Sequence, residues 1–437
     1  MRISNWKAVV GSICGNAMEW YDFMVFSYMV SLIGPLFFSG ADVGAHVILL
    51  STALFGVGFV TRPLGGIVLG GYADRHGTAA AMVLGMGIMA LSIALIAFAP
   101  TYAQAGSVGV CFLVAGRLLQ GFSAGGEFAT STTYLIEAAP PGRRAFYGSW
   151  QMMGQLFAQI LGGTVGYVIT SAFTPGQIAG YAWRIPFLIG LFILPAVLIM
   201  RRRTMGQGQA ARHHVAARLP LAGIMRDMAA QWRAVLSVMG LVSSTSVSLY
   251  VLFGYTVTYA TQTLHLPMKG AYLVQLSAAL GMMLIVPASG WLADRISARR
   301  MLFWALFVYF LEIWPLYAWL VARPSLLRLV VMQVGLAIPT AVFLATYCTI
   351  IVTVLTGRHR VTTLATAHNI AVMVVGGLSQ FVVTWLLHVT GAAIAPAFFV
   401  SVVIAMGTVS ALYLVRSEHK APRSSFVPDP LAVRNGK

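Results

Sequence analysis

Hydrophobic positions along this chain fall in long uninterrupted runs, not in the alternation of a half-buried strand or the stripe of a surface helix. Stretches of about 16 or more residues without a fixed charge recur at about 23–38, 78–116, 145–183, 234–268, 270–293, 329–357 and 361–415. A run of that length crosses the hydrocarbon layer of a bilayer as a helix, and several of these hold two crossings and a turn. Turns read from Pro, Gly and charge clusters divide the chain into twelve predicted helices, near 12–38, 47–72, 79–99, 107–135, 148–171, 184–200, 234–260, 270–291, 301–320, 327–355, 362–388 and 392–415.

Composition agrees. Of 437 residues 59% are hydrophobic and 9% charged, with a mean hydropathy of +0.82. Soluble domains carry roughly 25% charge because they must cover a surface in water. Arginine and lysine then orient the helices. Arg75, Arg143, Arg144, Arg295, Arg299, Arg300, Arg358 and Arg360 sit in alternate turns, and the segment from Arg201 to Arg233 holds seven arginines against Asp227 alone. The turns on the other side hold only Lys269 and Arg323, so the positive-inside rule puts both termini and the central loop in the cytoplasm. The net charge of +17 therefore implies anionic lipid headgroups as neighbours and no nucleic acid, since no aromatic platform interleaves the basic residues. The basic segment from Arg2 to Lys7 precedes an apolar run far longer than a signal-peptide core, so the expectation is a retained first span. Cys14, Cys111 and Cys348 are scattered without a metal-binding spacing.

An internal repeat sets the organisation. "GGYADRHG" at 70–77 and "GWLADRIS" at 290–297 align at an offset of 220 residues, about half the chain, pairing Asp74 with Asp294 and Arg75 with Arg295. Each copy falls where the second helix of a six-helix unit leaves the membrane. The expected domains are an N-terminal bundle over 1–200, a connecting loop over 201–233, a C-terminal bundle over 234–416 and a tail over 417–437. Within the loop, "LPLAGIMRDM" can form a short surface helix, and no nucleotide-binding or metal motif is present.

Charges inside the predicted spans are the candidates for chemistry. Glu19 and Asp22, three apart on one helix face, lie in "GNAMEWYDFMVF", among only 11 acidic residues in the chain. Asp22 is roughly 15 Å from a helix start near residue 12, close to mid-bilayer. A carboxyl there must face a cavity, hold a proton or find a partner. Arg117 in the fourth helix is the one basic group expected at that depth in the first half, with Glu127 ten residues on; Asn16, Gln120, Gln151, Gln155 and Gln159 add polar groups. A static ion-pair network that orders the helices is the alternative to proton or anion binding. In the second half, the seventh helix carries Ser243, Ser244, Thr245, Ser246, Ser248, Tyr250, Tyr255 and Tyr259, and the eleventh carries His368, Asn369 and Gln380. Such hydroxyls and amides can line a polar cavity or bond their own helix. Glu312 is expected near the outer headgroups.

With these residues in view, the chain resembles the major facilitator superfamily. The signature after the second helix is present twice, the fourth helix carries "RLLQG" and the sixth opens with "WRIPF". "GNAMEWYDF", "GFVTRPLGG", "RLLQGFSAGGE" and "GSWQ" resemble the metabolite:proton symporter family over about residues 10–416, and "YLIEAAPPGRRAFYGSWQ" and "YTVTYATQTLHL" are most similar to its citrate and tricarballylate symporters. The resemblance implies an all-α fold of twelve transmembrane helices in two six-helix bundles, in a bacterial inner membrane, working as a monomer without cofactor or metal. It implies import of a small carboxylate with protons by alternating access. The candidate residues on this reading are Asp22, Glu19 and Glu127 for proton coupling; Arg117, Gln120, Gln155, Ser244, Ser248, Tyr255, His368 and Asn369 for the solute; and Asp74, Arg75, Asp294, Arg295, Arg144 and Arg360 for gating. A dicarboxylate, a shikimate-like acid or a zwitterionic osmolyte is the alternative solute. Drug efflux by proton antiport and a non-transporting membrane sensor are the rival functions. The sequence departs from the family at Thr78, Ala79 and Ala80, where basic residues are usual, at Thr353 and Thr356 after the tenth helix, and at Gln380, where proline is common.

Overall fold

The computed structural model describes residues 4–38, 46–76, 78–125, 127–137, 139–205, 221–356 and 360–418. They are helical and, among the described residues, contain no strand. Twelve stretches follow in chain order: α1 (Ser4–Phe37), α2 (Val47–Gly70), α3 (Thr78–Ala97), α4 (Val108–Ala124), α5 (Arg144–Ala172), α6 (Ile185–Met205), α7 (Trp232–Gln262), α8 (Met268–Ala293), α9 (Ala298–Ala322), α10 (Leu326–Val354), α11 (Arg360–Thr390) and α12 (Ala395–Glu418). Nine of these are long and apolar enough to cross a membrane, while α3, α4 and α6 contribute shorter apolar segments. Short helices also cover Glu127–Glu137, continuing the direction of chain after α4, and Leu221–Ala230, in the segment before α7.

Two groupings emerge from the packing. In the first half α1 packs on α2, α5 and α6, and α4 on α2 and α3; in the second α7 packs on α12 and α11, and α10 on α8 and α9. The halves meet along two seams, α5 against α8 and α10, and α2 against α11.

Glycine decides how close α2 and α4 come. A Cβ on Gly121 would run into the Gly58 carbonyl, and one on Gly65 into the Phe122 carbonyl. The glycines of "GFVTRPLGG" and "RLLQGFSAGGE" thus form one seam in which two backbones touch, as membrane helices do where small residues face each other. This close approach delivers Arg117 to the carbonyl of Phe55 on the neighbouring helix.

Three local breaks interrupt the long spans. α2 turns at Thr61, so that Val47–Val60 is followed by a second helix, Arg62–His76. α7 and α11 each contain a six-residue π stretch, Tyr250–Tyr255 and Val372–Gly377. A π turn leaves backbone carbonyls without their usual partner, and two glutamines serve them: Gln333 Nε2 donates to Leu252 O, and Gln380 Nε2 to Tyr250 O at 3.1 Å. Gln380, which replaces a common proline, has this bond and a second to Ser27 Oγ across the bundle boundary at 2.6 Å.

Candidate functional site

At the heart of the molecule two arginines share one aromatic box. Arg117 on α4 is wholly buried: Nη1 donates to Gln120 Oε1 at 2.6 Å and Nη2 to the Phe55 carbonyl at 2.8 Å. Its guanidinium carbon lies 4.3 Å from the Phe23 ring centroid, 4.8 Å from Phe26 and 5.2 Å from Phe55. Gln120 in turn donates to the backbone carbonyl of Asp22 at 2.9 Å. The second arginine is Arg62, which follows the break in α2 and is also buried. Its guanidinium carbon sits 4.5 Å from Phe23, 4.7 Å from Phe59 and 5.7 Å from Trp20. Phe23 therefore stands between two cations, each held partly by ring faces. The Nε atoms of both arginines are buried without a hydrogen-bond partner.

This changes the expected picture in two ways. Arg117 is not the sole basic group at that depth, because Arg62 joins it. The hydrogen bonds of Arg117 go to Gln120 and the Phe55 carbonyl, and not to the Asp22 carboxyl. The Asp22 carboxyl turns toward α6, where a Cβ on Gly190 would collide with its Oδ1, and its Oδ2 is buried without a partner. Glu19 is the acid whose charge acts on Arg62. The side chain of Glu127 lies outside the described residues.

Beyond Trp20 and Tyr250, which stack at 5.9 Å, lies a small cavity between the bundles. Its walls include Trp20 from α1, Gln155 from α5, Thr245, Ser246 and Tyr250 from α7, and His368 from α11. It leaves about 10 Å³ for the centre of a water molecule, so the bundles are closed around it. His368 stacks on Phe128 at 4.1 Å.

Of the eight residues expected to meet solute, Gln155 and His368 border this cavity. Arg117 and Gln120 lie behind its aromatic wall. Ser244 and Ser248 lie away from the cavity: Ser244 Oγ bonds the Gly240 and Val403 carbonyls, each at 3.0 Å, with its side chain packed on Gly407 of α12, and Ser248 Oγ bonds Ser244 O at 2.7 Å. They occupy the face of α7 turned into its own bundle, whereas Thr245 and Ser246 face the cavity. Tyr255 is also elsewhere, its hydroxyl 2.8 Å from the Thr384 hydroxyl of α11. Asn369 reaches across the bundle boundary and donates to Gly125 O at 2.6 Å. The residues not singled out in the sequence are Arg62, Trp20 and Tyr347; Thr245, Ser246 and Tyr250 are among the seventh-helix hydroxyls expected to line a cavity, though not among the eight solute contacts. For Arg62 the signal was present in "TRPLGG", a charge followed by proline inside an apolar run.

Contacts between the bundles occur at both ends. At the arginine-rich end the Asp294 carboxylate accepts from Ala145 N at 2.8 Å and Phe146 N at 2.9 Å, capping the first turn of α5. An anion there meets unbonded N–H groups and the positive end of the helix dipole. Thr349 Oγ1 donates to Arg144 O at 3.0 Å, and Arg360 forms an ion pair with Glu137. The Arg295 guanidinium, just past the end of α8, lies 3.7 Å from the Trp291 ring centroid. The Arg144 side chain is exposed at a 410 Å³ crevice shared with Glu137 and Arg360. The side chains of Asp74 and Arg75 lie outside the described residues. At the opposite end Tyr272 Oη donates to Tyr28 O at 2.7 Å and Ser27 Oγ to Gly254 O at 3.0 Å.

Comparison with known proteins agrees with this architecture. The chain is 31% identical over 411 residues to a citrate-proton symporter of Klebsiella pneumoniae, covering 94% of this chain and 91% of that one. It is 28% identical to a glycine betaine/proline/ectoine/pipecolic acid transporter of Dickeya dadantii, covering 95% and 84%. Among solved structures, a D-xylose-proton symporter superposes with a TM-score of 0.72 at 16% identity, over 94% of this chain and 97% of that one. The sequence model of the Major Facilitator Superfamily matches residues 22–379, and with that span this chain belongs to the superfamily.

Proposed function

We propose that the chain is a proton-coupled symporter importing a small carboxylate, with a tricarboxylate such as citrate or tricarballylate as its solute. The observation that carries this reading is the pair of buried guanidiniums, Arg62 and Arg117, behind the Trp20–Tyr250 wall of the cavity. Two cations brought so close in a low-dielectric interior favour an anion with more than one carboxylate. A guanidinium offers a planar fork to a carboxylate, and Arg117 now spends that fork on Gln120 and a backbone carbonyl. Rotation of Trp20 or Tyr250 would open the box to the cavity, where Gln155, Thr245, Ser246 and His368 offer neutral hydrogen-bonding groups to the remainder of the solute.

Asp22 is the candidate proton carrier. Its carboxyl is buried against Gly190 with one oxygen unpartnered, the placement of an acid that must find a cavity, a proton or a partner. Proton uptake would neutralise that acid, and with the two arginines the loaded site would balance a multiply charged anion. Release follows when the bundles rock apart at the arginine-rich end, which the positive-inside rule places in the cytoplasm of a bacterial inner membrane. Asp294 and Arg360 would then act as latches holding that end shut. The carrier needs no cofactor in this scheme and is complete as a monomer in the lipid.

A zwitterionic osmolyte is the second reading, favoured by the betaine and proline carriers among the relatives. Aromatic boxes bind quaternary ammonium groups through ring faces. Here those faces are already covered by guanidinium, which weighs for an anion. The deciding experiment is uptake of radiolabelled citrate into proteoliposomes under an imposed proton gradient, with tricarballylate, succinate, 2-oxoglutarate, shikimate and betaine as competitors. Competition by the tricarboxylates alone supports the proposal; stronger competition by betaine or a dicarboxylate refutes the choice of solute.

A further inference from the structure

A second polar feature runs along α5 and takes no part in the arginine box. Gln151, Gln155 and Gln159 recur one helical turn apart on a single face, each at most 2% exposed, and the Oε1 of each lacks a hydrogen-bond partner. The next position on that face is Gly163, which makes room for Gln275 of α8: a Cβ there would lie 3.3 Å from Gln275 Nε2. Gln275 is fully buried and neither end of its amide is satisfied. It approaches the hydroxyl of Tyr28 on α1, outside hydrogen-bonding geometry, and that hydroxyl is likewise buried and unpartnered.

From position 151 to position 163 the file climbs about 18 Å, more than half of a bilayer core about 30 Å thick. Gln155 borders the central cavity, and the Tyr28–Gln275 pair lies toward the end where Tyr272 closes on Tyr28. The file runs along the face of α5 turned to its own half, where Gln151 Nε2 donates to Ser131 Oγ at 3.2 Å and Gln159 Nε2 to Met24 Sδ of α1 at 3.6 Å, and it meets α8 at Gly163 and Gln275. Each orphaned buried polar group costs about 1–3 kcal/mol, so several in one line would be a heavy burden in a dry interior. Neutral amides and a phenol cannot hold a charge, but they accept and donate to O–H groups in a row.

We infer that this file is hydrated and conducts the coupling proton between the end opposite the arginine-rich one and the central cavity. Water molecules bridge the Tyr28 hydroxyl, the Gln275 amide and the glutamine oxygens of α5 in sequence. A proton entering at Tyr28 hops along the water chain, each water passing one on, and none of these side chains changes its own charge. His368, Tyr250 and Tyr347 are the titratable side chains on the cavity wall where the file arrives. The inference rests on the symport reading for the role of the proton, but its hydration does not depend on the solute.

The test compares Tyr28→Phe, which removes one oxygen, with Gln159→Leu and Gln275→Leu, which replace amides by apolar groups of similar size. For each variant, citrate accumulation under a proton gradient, citrate exchange without a gradient, and the melting temperature in detergent are measured. The expected result is a loss of at least tenfold in accumulation, exchange within twofold of the parent, and a melting temperature unchanged or lowered. A raised melting temperature in the two leucine variants with accumulation intact would show that the amides were dry, and would overturn the inference. Equal loss of accumulation and exchange in Tyr28→Phe would overturn it too, by making the file part of the solute path. Should the parent protein move no citrate, the carboxylate reading fails by itself, while the melting comparison still reports whether the file holds water.

Discussion

Replacing Asp294 by alanine removes both acceptors that tie α8 to the first turn of α5, and the size of the effect can be worked from the contacts. Hydrogen bonds to a charged group contribute about 1.5–3 kcal/mol each when buried, and a charge at a helix N-terminus adds about 0.3–1 kcal/mol at a surface. Asp294 is only partly buried, so water will replace much of what is lost. A value of about 2 kcal/mol for the whole latch is reasonable, or roughly a 30-fold shift of the equilibrium toward opening at the arginine-rich end. Asparagine keeps one oxygen but loses the charge, and should give about half that energy, roughly fivefold. A single cysteine at position 352, in a background with Cys14, Cys111 and Cys348 replaced, reports the opening. Val352 is 5% exposed at the wall of the crevice between the bundles, so alkylation of that cysteine requires the ends to part. Its alkylation rate should rise in the order parent, Asp294→Asn, Asp294→Ala, while Arg295→Ala, which removes a contact with Trp291, should leave it near the parent value. Equal rates in the parent and both Asp294 variants would refute the latch, as would an effect of Arg295→Ala as large as that of Asp294→Ala.

Further outcomes follow from the buried site and the helix seam. Asp22→Asn should abolish accumulation driven by a proton gradient while exchange of solute continues; uphill uptake of normal pH dependence in that variant would move the proton to another group. Arg117→Lys keeps the charge but cannot reach Gln120 and the Phe55 carbonyl with one planar group, and should weaken citrate binding at least tenfold by isothermal titration, whereas binding within twofold of the parent would remove Arg117 from the site. Gly121→Ala drives a methyl into the Gly58 carbonyl and should lower stability by about 1–3 kcal/mol or prevent assembly, while Gly87→Ala, with open space around it, should melt like the parent. Ser244→Ala should leave citrate affinity within twofold while Ser246→Ala reduces it, because only the latter borders the cavity; equal affinities in the two variants would contradict that assignment.

The linear pattern of this chain determines a great deal. Apolar runs too long for a soluble core place the spans, and the observed helices start and stop within a few residues of the expected positions over most of the chain. The repeat of "ADR" at half the length reveals two similar halves. Glu19, Asp22 and Arg117 stand out because a charge inside an apolar run is costly wherever the helix lies, and that cost is visible without coordinates. Three things needed the tertiary structure. The partners of the buried charges were one: Asp22 and Arg117 share a depth, yet the carboxyl turns to Gly190 and the guanidinium to Phe55, since rotation about a helix axis is set by neighbours and not by position along it. Arg62 was another: the linear pattern runs one helix through 47–72, and only the break at Thr61 and the packing on Phe23, Phe59 and Trp20 bring its guanidinium to the centre. The last was the lining of the cavity by α7. This helix is 89% buried over its apolar window, so polar residues on every side of it meet protein. With no face in contact with lipid over most of that window, there is no apolar stripe to give the rotation, and Ser244 and Ser246 look alike until α12 covers the first and the cavity receives the second.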